Sequence, residues 1–219
     1  MKEKMLRINL SSGKFREEEI PDEVLRNYFG GICLGAKILF EELKPGIDAL
    51  SPDNKLVFSA GLLTGVPFFA NARYVAMAKS PLTNLWGHAN SGGYFGPELR
   101  AAGYIALIIE GKARNPVYIL IKDGGVEVRD ARKIWGKFTG DVVDEIKKET
   151  GDERIRVACI GPAAEKLVRY ACIINDYHHA AGRSGLGTVM ASKNLKAVAV
   201  RGSKRVEIPN REAFTSIVK

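Results

Sequence analysis

LVFSAG at 56–61, RYVAMA at 73–78, SGGYFG at 91–96 and AGYIALIIEGK at 102–112 have counterparts further along the chain. These are RVACIG at 156–161, RYACII at 169–174, SGLG at 184–187 and KNLKAVAVRGS at 193–203. Each series runs strand, Gly, loop, Arg-Tyr strand, loop, Ser-Gly, helix, strand, Gly. The two stretches, about 55–112 and 155–203, therefore read as copies of one unit. Short apolar runs closed by glycine are strands; here they come in pairs, and helices interrupt them only occasionally. That rhythm predicts an α+β fold and disfavours a doubly wound parallel sheet. The expected architecture is two similar, largely antiparallel sheets from an internal duplication, with flanking helices, an αββα-like sandwich. A duplicated unit packs with pseudo-twofold symmetry, which should bring the loops at 90–93 and 180–185 together on one face. Each loop precedes a helix and offers free backbone N–H groups, which suits a ligand with two equivalent phosphate-bearing halves.

Working outward, alternation at 5–10, a Ser-Ser-Gly-Lys turn and a second run at 15–20 predict a β-hairpin. Pro21 opens a helix that Gly30-Gly31 breaks, and a second helix follows at about 34–43. Strands are expected near 55–60, 73–78, 104–110, 117–122, 126–129, 155–160, 168–174 and 195–200, with a Gly/Pro-rich loop through 61–72. Thr139 is an apt N-cap and Gly151 an apt C′ residue for a helix at 141–149. Pro209-Asn210 starts an amphipathic helix with Phe214, Ile217 and Val218 on one face. The expected division is a domain at 1–208 and, at 209–219, the start of a following helical domain.

Composition narrows the function. The 219 residues carry 33 Lys+Arg against 25 Asp+Glu, a net charge of +8, with 46% apolar and 26% charged residues. That balance describes a globular protein and excludes disorder, collagen or coiled coil. The basic residues are scattered among acidic ones, with no basic stripe or aromatic platform, which argues against nucleic acid. There is no apolar run long enough to span a membrane and no signal-peptide core, so a cytoplasmic location is expected. Cys33, Cys159 and Cys172 form no CxxC pair, which disfavours a disulfide framework and a zinc or iron–sulfur site within the chain. The absence of Gln hints at a thermophile.

The chemistry is concentrated in two loops. Asn90 and Ser91 can cap the next helix or bind a polar ligand, and Gly92-Gly93 let the backbone approach that ligand closely. In the second loop, Gly185-Leu186-Gly187 fails as a dinucleotide fingerprint, because Met190 stands where the third glycine belongs. Asp176, His178 and His179 lack the distant partner a zinc site needs. Arg183 among glycines has the make-up of a clamp for a phosphate or ring carbonyl. Arg73 closes the Gly/Pro loop, either as a functional residue or in a surface ion pair. Trp86-Gly87-His88 suggests nothing beyond packing.

Five longer motifs carry a resemblance: AGLLTG, ARYVAMAKSPLTN, ANSGGYFGPELRAAGY, IEGKARNPVYI and ACIGPAAEKLVRYACIINDYHHAAGRSGLGTVMASKNLKAVAVRG. In order and spacing, over about residues 5–207, they resemble the N-terminal domain of the tungsten-containing aldehyde:ferredoxin oxidoreductase family. The resemblance implies a domain that forms the base under a bis-pyranopterin tungsten (or molybdenum) cofactor, with magnesium bridging the two pterin phosphates. By matched position, Asn90 and Ala180 would give backbone carbonyls to magnesium. Ser91, Gly92, Gly93, His179, Gly182 and Arg183 would contact the pterins, and Arg73 would lie between pterin and iron–sulfur cluster. His179 stands where the family's motif has Arg, and a neutral imidazole is a weaker phosphate partner. The resemblance further implies oxidation of an aldehyde to a carboxylic acid with electrons passed to ferredoxin. The 4Fe-4S cluster and catalytic residues are expected only in the full-length protein, so this chain alone should be inactive. The alternative is a non-catalytic pterin-binding module or subunit; homo-oligomerisation stays open.

Overall fold

A computed structural model describes residues 3–218. The first half contains β1 (Lys4–Asn9), β2 (Lys14–Glu19), α1 (Asp22–Tyr28), α2 (Gly31–Glu42), β3 (Leu56–Ala60), β4 (Tyr74–Lys79), β5 (Trp86–Ser91), α3 (Phe95–Ala101) and β6 (Ala106–Glu110). The second half contains β7 (Val117–Lys122), β8 (Gly125–Asp130), α4 (Thr139–Thr150), β9 (Arg156–Cys159), α5 (Pro162–Glu165), β10 (Ile173–Asn175), β11 (His179–Ala181), α6 (Leu186–Ser192) and β12 (Leu195–Arg201). Helix α7 (Arg211–Val218) follows, and Asn210 caps it by accepting the Ala213 N–H at 2.9 Å.

The strands form two six-stranded sheets, β2-β1-β6-β3-β4-β5 and β8-β7-β12-β9-β10-β11. Position for position the order is the same. Every neighbouring pair is antiparallel except β1 with β6 and β7 with β12, where the first long strand of each half lies beside the last. The matching order thus takes in the hairpins β1–β2 and β7–β8, which the sequence comparison left outside its repeats.

Side chains alternate along each strand and divide the core into layers. Leu107 and Ile109 of β6 face inward, with Ile119, Ile121, Val198 and Val200 from the other sheet. Ala106 and Ile108 face outward onto Leu34, Ile38 and Leu39 of α2. On the far side, Tyr118, Val157 and Ala199 meet Val142, Val143 and Ile146 of α4. Helices α3 and α6 touch strands of both sheets, and every residue of α6 is buried. Its uncharged sequence, LGTVMAS, suits a helix enclosed on all sides.

Local expectations fare unevenly. The helix after Pro21, the Gly30-Gly31 break and the left-handed Gly151 cap (φ 64°) all occur. Helix α4 begins at Thr139 itself, with Phe138 in the cap position and no side-chain cap. The strand expected at 168–174 is mostly turn: Leu167 takes φ 56°, Arg169 and Tyr170 are exposed, and only Ile173–Asn175 pairs. Strands β5 and β11 were not anticipated. Among the described residues no helix is long and apolar enough to cross a membrane.

Candidate functional site

The strand register decides which residues of the two halves correspond. Across the first sheet a row runs Ala106–Ser59–Val75–Asn90. Across the second, the matching row runs Ala197–Cys159–Ile174–Ala180. Asn90 and Ala180 therefore hold the same place on the same outermost strand, β5 and β11, and both are exposed. Alternate backbone groups of an edge strand have no ladder partner, and those that face outward can meet a ligand. The two edge strands also lie against each other.

Glycines set the helices close to this row. An added Cβ at Gly96 would stand 3.0 Å from the Ala72 carbonyl oxygen and 3.3 Å from that of Arg73, and one at Gly187 2.8 Å from that of Ala171 and only 2.4 Å from that of Cys172. Equivalent glycines thus rest on equivalent backbone, and the counterpart of Arg73 is Cys172. The Arg-Tyr pairs at 73–74 and 169–170, matched by sequence, are not equivalent: α5 and the turn after it displace Arg169-Tyr170 from the strand.

The loops at 90–93 and 180–185 do come together. Ser80 donates to the Ser184 carbonyl at 2.7 Å, and the Ser184 hydroxyl reaches the His88 carbonyl at 3.4 Å. The other tie centres on Asn175, which is fully buried. Its Oδ1 accepts from the Ser91 hydroxyl at 2.6 Å and the Tyr74 hydroxyl at 3.1 Å. Its Nδ2 donates to the Gly92 carbonyl at 3.0 Å and to Asp176 Oδ2 at 3.1 Å. Asp176 Oδ2 in turn accepts the Tyr94 N–H at 2.8 Å, so the start of α3 is held from the other half of the chain. Burial holds the Tyr74 hydroxyl well above its ordinary pKa, which keeps it a donor.

Gly93 (φ 81°) crosses over this turn, where a Cβ would lie 2.6 Å from His179 Cδ2 and 2.8 Å from Asn175 Nδ2. Beneath it Asp176 and Tyr177 take φ of 49° and 72°, a strained reversal into β11. The Tyr177 hydroxyl donates to Asp144 at 2.7 Å, and Lys147 sits 5.2 Å over its ring, so α4 anchors the reversal.

The residues singled out from sequence fall into two groups. Asn90, Ala180, Gly182, Arg73 and Arg183 are exposed; Gly92, Gly93 and His179 are half-buried. Ser91 is buried and its hydroxyl is engaged by Asn175, so it braces the loop. Among the described residues neither the Arg73 nor the Arg183 side chain has a hydrogen-bond or ion-pair partner. The surface ion pair considered for Arg73 is therefore absent, and both guanidiniums are free to meet an anion. His178 and His179 pack on each other at 4.8 Å. No group of three or more His, Cys, Asp or Glu able to hold a metal occurs among the described residues. Sequence reasoning missed Asn175 and Tyr74; the one available signal was a polar Asn-Asp pair closing the apolar run Ile173-Ile174.

The family model for the aldehyde ferredoxin oxidoreductase N-terminal domain matches residues 5–202. The chain is 49% identical over 216 residues to a tungsten-containing aldehyde ferredoxin oxidoreductase of Pyrococcus furiosus, covering 99% of this chain and 36% of that protein. It is 37% identical to an aliphatic sulfonate oxidoreductase, WOR-like subunit, of the same organism, covering 91% of this chain and 34% of that protein. Among solved structures, the active site complex BamBC of benzoyl coenzyme A reductase with 1,5-dienoyl-CoA superposes with a TM-score of 0.97. Its identity is 36%, over 100% of this chain and 34% of that one. The chain thus spans about a third of the length of the relatives it matches.

Proposed function

The chain belongs to the aldehyde ferredoxin oxidoreductase family, of which it is the N-terminal domain, and we propose that it forms the floor under a tungsten bis-pyranopterin cofactor. One observation carries this reading: Asn90 and Ala180, unlike in side chain, occupy the same register position on two edge strands that meet. A ligand with two like halves needs such a pair. Their backbone carbonyls would serve a magnesium ion between the two pterin phosphates, since magnesium takes oxygen ligands and keeps water in its remaining positions.

The surrounding residues fit the group. Arg183 offers an unpaired guanidinium for a phosphate or ring carbonyl, and Arg73 another between pterin and cluster. Gly92 and Gly182 bring backbone to the surface with no side chain above it, while Gly93 lets the loop close over His179 and Asn175. His179 lies against Gly93 and would contribute an edge of the pterin surface. When bound, the tungsten centre would supply the redox chemistry. The chain's own part is to bind the two halves, fix their spacing and keep one face covered. No residue of the site is assigned a proton transfer.

The whole protein's activity on this reading is oxidation of an aldehyde to a carboxylic acid, with ferredoxin taking the electrons in the cytoplasm. A 4Fe-4S cluster and the catalytic residues would lie outside this domain. A second reading has specific support, because relatives of the domain occur in a sulfonate oxidoreductase subunit and in a benzoyl coenzyme A reductase complex. The domain would then be a pterin-binding subunit whose substrate is set by its partners. Arg183→Ala separates a cofactor clamp from a surface arginine: losing a charge-assisted hydrogen bond should weaken binding by about 1.5–3 kcal/mol. The holoprotein variant should purify folded with less tungsten; unchanged tungsten content refutes the clamp. The 219-residue chain by itself should not reduce a viologen dye with aldehyde above a heat-killed control.

A further inference from the structure

We propose that Asn175 is the positioning residue that sets the two cofactor-facing edge strands at their working separation. The proposal rests on the cofactor site above and extends it to a residue that touches no ligand. Asn175 ends β10 in the second sheet, and its backbone pairs with His179, next to Ala180. Its side chain reaches into the first sheet, to Tyr74 on β4, Ser91 on β5 and the Gly92 carbonyl. Ser91 and Gly92 directly follow Asn90. One buried amide therefore joins the neighbours of both carbonyl-bearing positions.

The choice of asparagine follows from the partners. Its oxygen can accept two hydrogen bonds and its nitrogen can donate two, and all four are made here. Aspartate has the same shape but no donor. It would set a carboxylate against the Gly92 carbonyl and beside Asp176, which itself holds the Tyr94 N–H. Leucine would take the shared partner from the two buried hydroxyls and from the half-buried Gly92 carbonyl, which disfavours the folded loop. Asp176 extends the device to the start of α3, so the helix, the Gly92-Gly93 loop and β11 move together or not at all.

The test uses the holoprotein, produced with its cofactor, as Asn175→Asp, Asn175→Leu and Tyr74→Phe variants. Tungsten and magnesium per polypeptide are measured by elemental analysis, and amide exchange is followed at 90–94 and 179–183. The Asp and Leu variants are expected to lose at least about fivefold in both metals and to exchange faster in both loops together. Tyr74→Phe, which keeps three of the four bonds, should lose less than about twofold. Should Asn175→Leu fail to fold, the isosteric Asp variant decides. Leu25→Ala, in α1, which packs on α2 and not on the site strands, controls for general destabilisation. If at equal loss of melting temperature it sheds as much metal, Asn175 is merely structural and the proposal falls. Metal content unchanged in the Asn175 variants also overturns it. If Arg183→Ala still lowers tungsten in that case, only the positioning role fails; if Arg183→Ala has no effect either, the cofactor reading fails with it.

Discussion

Replacing Gly187 by alanine drives a methyl group to 2.4 Å from the Cys172 carbonyl oxygen, 2.7 Å from its carbon and 2.8 Å from the Ala171 carbonyl oxygen. All three are backbone atoms. The Gly187 N–H donates to that Ala171 carbonyl at 3.1 Å, so the helix and the strand entry are fastened at this point. Neither partner can swing aside as a flexible side chain would. Overpacking of a close-packed core costs about 1–3 kcal/mol, and backbone neighbours on every side place this variant near the upper figure. Alanine regains at most about 1 kcal/mol over glycine in a helix, which leaves roughly 2 kcal/mol of net loss. For a chain of this size that is a fall in melting temperature of about 4–8 °C. Gly96 provides the internal comparison, because it holds the same place in α3 with its nearest backbone oxygen at 3.0 Å. There the neighbour need give only a few tenths of an ångström, and Gly96→Ala should come out within about 1 kcal/mol of the parent. Thermal unfolding of the two single variants and the parent chain, followed by circular dichroism, makes the measurement. A Gly187→Ala melting point within about 2 °C of the parent, or a larger loss for Gly96→Ala, would refute the close-approach reasoning.

Two further outcomes concern the buried lysines. Lys196 is fully buried, paired with Glu165 and donating to the Lys137 carbonyl at 3.0 Å, so Glu165→Leu strands an ammonium and should cost about 3–5 kcal/mol. Adding Lys196→Met should recover part of that loss in guanidinium unfolding; strict additivity of the two single losses would contradict it. Lys193 is surrounded by the Pro52, Asn54 and Gly111 carbonyls, and burial pushes its ammonium down to about 8 from 10.5 against an upward pull from Glu110. The folded chain then binds fewer protons than the unfolded chain between about pH 8 and 10.5, so Lys193 makes stability rise with pH across that window. Lys193→Met should remove this slope; identical pH profiles for parent and variant would rule it out.

The central strands were legible because burial on both faces leaves near-continuous apolar runs such as ALIIE and VYILIK. Strand β5, WGHANS, carries Gly, His and Asn, which local preference assigns to loops. It is a strand because the edge of β4 pairs with all six of its residues, and Gly87 leaves room for Ser184. Strand β11 is three residues long and follows a left-handed reversal, too short for any periodicity to register. The Arg-Tyr pairing misled for a different reason: two identical residues outweighed three positions of register, and register is a property of partners far away. The same distance hid Asn175. Tyr74, Ser91 and Gly92 stand 101, 84 and 83 positions from it, so its role is invisible until the halves are brought together.

The site joins a repeated backbone to unrepeated side chains. The rows through Asn90 and Ala180, and the glycines under α3 and α6, match one another in position. The side chains beside them do not: Arg73 answers to Cys172, and Ser59 to Cys159. On the proposed reading, that division follows from the ligand. The cation shared by two like halves would be met by backbone atoms, whose geometry the sheet order fixes regardless of sequence. The parts whose surroundings differ would be met by side chains free to diverge, as Arg73 and Cys172 have. Carbonyl ligands make such divergence tolerable, since any residue at 90 or 180 presents the same oxygen so long as the edge strand keeps its register. What cannot diverge is whatever maintains that register across the seam between the sheets. The four-bonded amide of Asn175 stands at that seam, with backbone pairing on one side and side-chain bonds on the other.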